Sequence, residues 1–482
     1  METKRGKRAR RELLHPSQQT LHLQSLVNTG GISKEGLRQV LQQLEQRPDL
    51  LPGASSNLDS AIEARFIFVR HVEKMAMIDG SEWDWELCDP CLLMSMLINE
   101  SPALQEVYSK VANATRDNLW RIIITFDEYV PGSKQRPETN RKSMNILLNF
   151  IDIGAEALTH DVTWFFPVSV RADKIKMVQG NFSCMLRRFL NHFLYGARGI
   201  STAGVPLMLH GQAYLLRAEL VILLTDGGAW PQALQWSGAG SIKPCFKHGN
   251  VLKRDCILSG TEGFVNIDCA NVREFQAVKH DDLYDDVDSC LECARLHELD
   301  PGNVDLKNNL ARMHYVTGLK PTTHGLLADL DMRRKLDIMK LIYLDWPHTF
   351  LQEGVLSNEL TELIRACKTK LNVQPSFWEA RLKGGWNFPS QTRVKQQYLY
   401  RLFNDFRIPE GSETPKVHGN MAEMLGVYGL IRHIIETDPV LQSDLLAQER
   451  ESFHALCRVL DLVLDVKMID GEDTNQSGVT ET

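Results

Sequence analysis

The order of strand-like runs between residues 120 and 226 constrains this chain more than any other feature. "WRIIITFDEYV", "SMNILLNFIDIG" and "WFFPVSVRA" are short β-rich runs separated by Pro, Gly and polar turns, which predicts an antiparallel meander. The helical pattern "NFSCMLRRFLNHFLYG" follows, then a link containing Gly, Pro and Ser. "RAELVILLTD" comes next, and its nearly continuous apolar character predicts a strand buried on both faces. The order is β-β-β-α-β, with Asp127 closing the first strand and Asp226 closing the fourth.

That order predicts an α/β fold with a ribonuclease-H-like mixed sheet, in which the first and fourth strands lie side by side. Acids at their ends then converge. Two adjacent carboxylates repel each other and stay ionised together when cations sit between them. A pair of Mg²⁺ or Mn²⁺ ions about 4 Å apart does this and drives phosphoryl transfer. The other reading of each acid alone is a turn former, Asp127 ahead of Pro131-Gly132 and Asp226 ahead of Gly227-Gly228. Their shared placement at strand ends points to the metal site.

With 482 residues the chain exceeds one simple core and allows two to four units. Its composition, 43% hydrophobic and 24% charged, is that of a globular protein. No apolar run approaches the roughly 20 residues that span a bilayer, so no membrane partner is expected. The ten cysteines are then reduced thiols or metal ligands. A net charge of -7 argues against coating nucleic acid by bulk electrostatics. Local basic surface remains, since Lys4 to Arg11 packs six Lys/Arg into eight positions, either a solvated tail or a nuclear-import or phosphate-contacting arm.

Residues 21–117 read mostly as helix, with Trp83, Trp85 and Cys88 in a joining loop. From 241 to 410 the pattern is helical and irregular. Cys245-x-x-His248 is a candidate zinc pair, since short spacing lets one turn supply two ligands, and Cys256, Cys269 and Cys290-x-x-Cys293 lie downstream. The stretch from Cys290 to Gly318 has the look of a solitary tetratricopeptide-type helical hairpin, without a second copy at the expected period. Further on, Arg381, Lys383, Arg393 and Lys395 interleave with Trp378, Trp386 and Tyr398, a mix that suits DNA-backbone contact as well as a solvated helix face.

The segments "IIITFDEYVPGSKQRPETNRKSMNILLNF", "LLTDGGAWPQALQWSGAGSIKPCFKHGNV", "YLDWPHTFLQEGV" and "HGNMAEMLGVYGLIRHIIE" span residues 120 to 440. In their order and spacing the chain resembles the DDE transposases of the CACTA, Plavaka and Kyakuja-Dileera-Zisupton type. The resemblance implies a ribonuclease-H-like core split by a large, mostly helical insertion. It implies Asp127 and Asp226 as catalytic aspartates and Asp345-x-x-His348 as the D-x-x-H signature. It also implies metal-dependent cleavage and strand transfer on transposon ends and target DNA. Where such families show Cys-x-x-Cys after the second aspartate, this chain has Cys245-x-x-His248.

The third carboxylate falls on Glu423, a lone acid on an apolar helix with Met421, Leu425, Val427, Leu430 and Ile431, where a shared metal would supply its partner. Pairing with Arg432 or Lys416 is the competing explanation. The expected organisation is a basic tail over 1–20, a helical N-terminal region over 21–117, and the first part of the core over 118–240. The helical insertion over 241–410, the helical return of the core over 411–466 and a tail over 467–482 complete it. Expected cofactors are Mg²⁺ or Mn²⁺ and a zinc ion, expected partners are DNA and a second copy of the chain, and the expected location is nuclear. Two other function classes stay open: a catalytically inactive, domesticated or decayed copy that binds DNA or protein, and a helical interaction scaffold.

Overall fold

The computed structural model describes residues 69–114, 119–130, 132–133, 136–137, 141–238, 241–253, 264–267, 271–351, 354–383, 417, 419 and 421–468. The chain divides into two compact units, Met1–Tyr343 and Leu344–Thr482. This division falls inside the segment 241–410 that the sequence presented as one insertion.

Among its described residues the first unit opens with strands β1 (Arg70–Ala76) and β2 (Glu82–Cys88), paired antiparallel as a hairpin. Here the expectation of helix, with Trp83, Trp85 and Cys88 in a loop, is corrected. Apolar and polar residues alternate along "EWDWELC", and Trp85 and Leu87 are buried between exposed acids, the period of a strand. Asp79 and Gly80 make the turn. Gly80 holds φ at 83°, and the Asp79 carboxylate accepts from the Ser81 amide and hydroxyl. Helices α1 (Pro90–Glu100) and α2 (Pro102–Ala114) follow. Asp89 caps α1 by accepting from the Leu92 amide, with Pro90 at the first helical position.

Strand β3 (Trp120–Tyr129) is the sheet's centre. Trp120, Ile122, Ile124 and Phe126 are wholly buried on one face, while Arg121 and Asp127 on the other are exposed. β4 (Ser143–Phe150) pairs antiparallel with β3, and β5 (Phe165–Arg171) antiparallel with β4. α3 (Asn181–Leu190) then crosses the buried face, where Phe182 meets Phe126 at 5.3 Å between ring centroids. α3 starts from Gly180, whose φ of 80° suits glycine. A Cβ there would also crowd His324 and Thr322 at 3.0 Å.

The link after α3 holds a second hairpin, β6 (Val205–Leu209) and β7 (Gln212–Leu216). Its two-residue turn, His210-Gly211, has positive φ at both positions, the requirement of a type I′ turn. β8 (Ala218–Thr225) runs parallel to β3, and α4 (Trp230–Leu234) packs Trp230 edge-on against Phe126. β8 is buried on one face and half-buried on the other, where the sequence led us to expect burial on both. α5 (His280–Leu299) and α6 (Val304–Thr317) form the expected helical hairpin. β9 (Ile342–Leu344) borders β8, so the five-stranded sheet has the order β9-β8-β3-β4-β5. The fold is mixed α/β.

The second unit is helical among its described residues: α7 (Val355–Leu371), α8 (Pro375–Lys383), α9 (Met421–Thr437) and α10 (Ala447–Met468). Its core joins Leu360 and Ile364 of α7 to Trp378, Val427, Ile431, Phe453 and Leu460. Ser357 and Thr361, buried on α7, hydrogen-bond the Val417 backbone, so their hydroxyls add no unpaired polar group to that core.

Candidate active site

Asp127 and Asp226 come together through a strand register that depends on one extra residue. Ala218 pairs with Trp120 and Leu220 with Ile122. A bulge then intervenes, after which Ile222 pairs with Ile123 and Leu224 with Thr125. Without the bulge the last pairs would slip by one, and Asp226 would stand beside Glu128. With it, the register continued two residues past Leu224–Thr125 sets Asp226 opposite Asp127. Burial follows the same phase: Leu223 and Ile124 are buried together, and Leu224 and Thr125 are half-buried together. Bulges re-aim side chains in this way. The Thr225 hydroxyl donates to the Phe126 carbonyl and holds the two strand ends together beyond the last ladder pair.

Successive side chains on a strand point to opposite faces, so Asp127 and Glu128 separate. Glu128 is held by Lys142 at 2.8 Å. Asp127 stays exposed, with its Oδ1 accepting from the Glu128 amide at 2.6 Å. Asp226 accepts from the Ala229 amide at 2.8 Å, which shapes the turn into α4. Gly227 and Gly228 follow it, both exposed, and leave the carboxylate flanked by bare backbone. Across the sheet, Asp127 pairs with Asn145 and Asn145 with Ser169, whose hydroxyl donates to the Asn145 side-chain oxygen at 2.8 Å. A polar row therefore crosses the exposed end of the sheet. At its far end Ser169 lines a cleft of about 340 Å³ with Trp83, Asp84, Glu86, Arg171 and Lys174. Two cations against two acids give that cleft no bias toward phosphate.

Glu423 lies half-buried in the first turn of α9, in the second unit. Arg432, the rival partner, is taken by Glu436 at 3.0 Å and Asp461 at 2.6 Å, and Lys416 lies outside the described residues. Asp345 follows β9 directly, and its carbonyl accepts from the Thr349 amide and hydroxyl. His348 sits in the π turn Pro347–Leu351, its side chain outside the described residues.

The Cys245 Sγ and His248 Nδ1 lie 3.3 Å apart, close enough to share one ion. Cys256 and Cys269 lie outside the described residues. Cys290 is buried against the Thr317 hydroxyl and Cys293 accepts from Asn309, so these two pack the α5–α6 hairpin. Cys88 and Cys91, which the strand-to-helix turn spaces as Cys-x-x-Cys, are kept as thiols by burial, Cys91 pushed up to about 12 and Cys88 raised.

Of the basic residues read as a DNA-contact surface, Arg381 is committed inside its own unit. It donates to Asp438 at 2.5 Å, stacks over Phe377 and leaves Asp438 only 5% exposed. Arg381→Ala is therefore expected to cost roughly 1–3 kcal/mol of stability, the range for leaving a buried acceptor, here Asp438, without its donor. The salt dependence of any DNA binding should not change. Denaturant melts and a salt titration check this, and a lost phosphate contact with unchanged stability would restore the DNA-binding reading. The Lys383 side chain, Arg393, Lys395 and the basic segment 4–11 lie outside the described residues.

Sequence order gave no hint of one further group, His71, Glu73 and His192, which chain packing brings together. The one local signal was the alternation of His71 and Glu73 on a single strand face. No family model matches this chain, and comparison with curated proteins gives no match.

Proposed function

We propose that the first unit is built on a ribonuclease-H-like core and that the protein is a transposase-derived, metal-dependent nuclease and strand transferase acting on DNA. What supports this reading is the register of the neighbouring parallel strands β3 and β8, which, continued two residues past its last pair, Leu224–Thr125, sets Asp226 opposite Asp127 on one face. The sheet order supports it too: an antiparallel meander, then a strand parallel to the first on its other side, then a fifth strand beyond. On this reading the segment splitting the sheet is 226–341, between β8 and β9, rather than 241–410.

The residue types fit a divalent pair: two aspartates at the ends of neighbouring strands, one exposed and one followed by two exposed glycines. Bound there, a pair of Mg²⁺ or Mn²⁺ ions activates an attacking oxygen and stabilises the leaving one. Asp127 and Asp226 neutralise and space the ions. The bulge at Val221 keeps both carboxylates on one face, and Lys142 holds Glu128 off that face. Catalysis of this type consists mainly of positioning and charge neutralisation at phosphate, so each carboxylate counts.

Glu423, in the second unit, stays an expectation of the sequence reading alone. On that reading Glu423→Gln is expected to abolish metal-dependent cleavage as fully as Asp127→Asn with the fold intact, and Glu353→Gln, at a glutamate that follows the D-x-x-H segment and lies outside the described residues, to do much less. Full activity in Glu423→Gln would remove Glu423 from the site. The proposal as a whole is tested by strand cleavage in Mg²⁺ or Mn²⁺ on wild type beside Asp127→Asn. A folded wild type that binds DNA and never cuts it would favour an inactive binding module instead.

A further inference from the structure

We propose that His71, Glu73 and His192 form a second metal site, specific for a divalent transition ion of the zinc type and independent of the two aspartates. Their ligand atoms lie within 4.8 Å of one another. His71 and Glu73 come from alternate positions of β1 and share one face. His192 comes from the π turn Asn191–Tyr195 that follows α3, a local distortion frequently found at functional sites. His71 Nε2 and Glu73 Oε1 are 2.9 Å apart. Two donors each about 2.1 Å from a tetrahedral ion are spaced by about 3.4 Å, so this pair would open by about 0.5 Å to take one.

The surroundings match a metal better than a salt bridge. Glu73 is half-buried, and among the described residues its ion-pair partner is His71 alone. The His71 and His192 rings stack with centroids 3.7 Å apart. His192 Nε2 lies 3.0 Å from the buried Asp89 carboxylate, the carboxylate–histidine arrangement that orients metal-binding imidazoles. Glu73 and Asp89 together carry two negative charges, which one divalent ion balances. Ligation asks the half-buried His71 ring to tilt out of its stack, since one ion cannot lie in the planes of two parallel rings. Three protein ligands leave a fourth position for water or another small donor.

A metal here would tie β1 to the turn after α3. The other end of β1 is already fastened by backbone, with the Gln179 amide donating to Ala76 and the Ile78 amide to Met177. The ion would close the near end, so zinc should raise thermal stability as well as bind.

The test uses full-length protein in an Asp127→Asn, Cys245→Ser background, so that neither other candidate site contributes. After chelator dialysis, zinc is titrated calorimetrically, and the cobalt(II) form is examined by absorption. The expected result is one equivalent bound, a rise in melting temperature, and visible ligand-field bands without sulfur-to-metal charge transfer. Glu73→Gln, added to that background, should weaken zinc at least about 10-fold, and Asp89→Asn roughly 10–100-fold, with circular dichroism unchanged. A folded parent that takes up no zinc would overturn the proposal, as would a Glu73→Gln protein that binds zinc as tightly as its parent.

Discussion

Asp127→Asn is expected to lower Mg²⁺-dependent strand cleavage by roughly 10²–10³-fold, the scale on which one preorganised electrostatic group matters to a transition state. Asparagine keeps the shape of the side chain and removes the charge that holds the ions. Because Asp127 is exposed, the folded state should lose no more than about 0.5 kcal/mol. Asp226→Asn should be equally inactive and similarly stable, since the asparagine oxygen can still accept the Ala229 amide. Glu128→Gln is the informative control. It stands next to Asp127 in sequence yet turns to the other face toward Lys142, so cleavage should stay close to wild type. A Glu128 variant as dead as the Asp127 variant would show that face assignment is not what selects the catalytic acid.

Trp230→Ala should be the most damaging core substitution near the site, at about 3–5 kcal/mol by denaturant midpoint. Trp230 is fully buried, meets Phe126 edge-on at 5.4 Å and Phe246 at 5.8 Å, and opens the helix that follows the Asp226 turn. Its ring nitrogen is buried without a hydrogen-bond partner. Trp230→Phe therefore forfeits no bond and should lose under about 2 kcal/mol, a volume effect alone. A loss below about 1 kcal/mol for the alanine variant would mean that this aromatic cluster does not support the site.

Strand β3 was readable because alternation and length agree there: four buried apolar residues, each followed by one facing outward, then Pro131-Gly132. The order of the five central elements followed from the same local patterns. Two hairpins were not readable for different reasons. β1 and β2 carry so many charged residues on the exposed face that helix and strand periods compete, and only Trp85, Leu87 and Met75 mark the buried side. The β6–β7 turn uses His210-Gly211 in place of Asn-Gly, which hides it as a link. Nothing in "RAELVILLTD" announces a bulge at Val221, since that depends on what β3 offers across the ladder. Yet that bulge decides which acid of β3 faces Asp226. Arg381 looked like a DNA contact because the sequence showed its aromatic neighbours and concealed Asp438, 57 positions away. His71, Glu73 and His192 meet only through tertiary packing.

The central claim is that Asp127 and Asp226 jointly hold divalent ions. Anomalous diffraction from crystals of the full chain soaked in Mn²⁺ tests it most directly. The account predicts peaks at coordination distance from both carboxylates, a pair about 4 Å apart when nucleic acid is bound, and their disappearance in Asp127→Asn. Well-ordered carboxylates with no Mn²⁺ peak beside either one would contradict it.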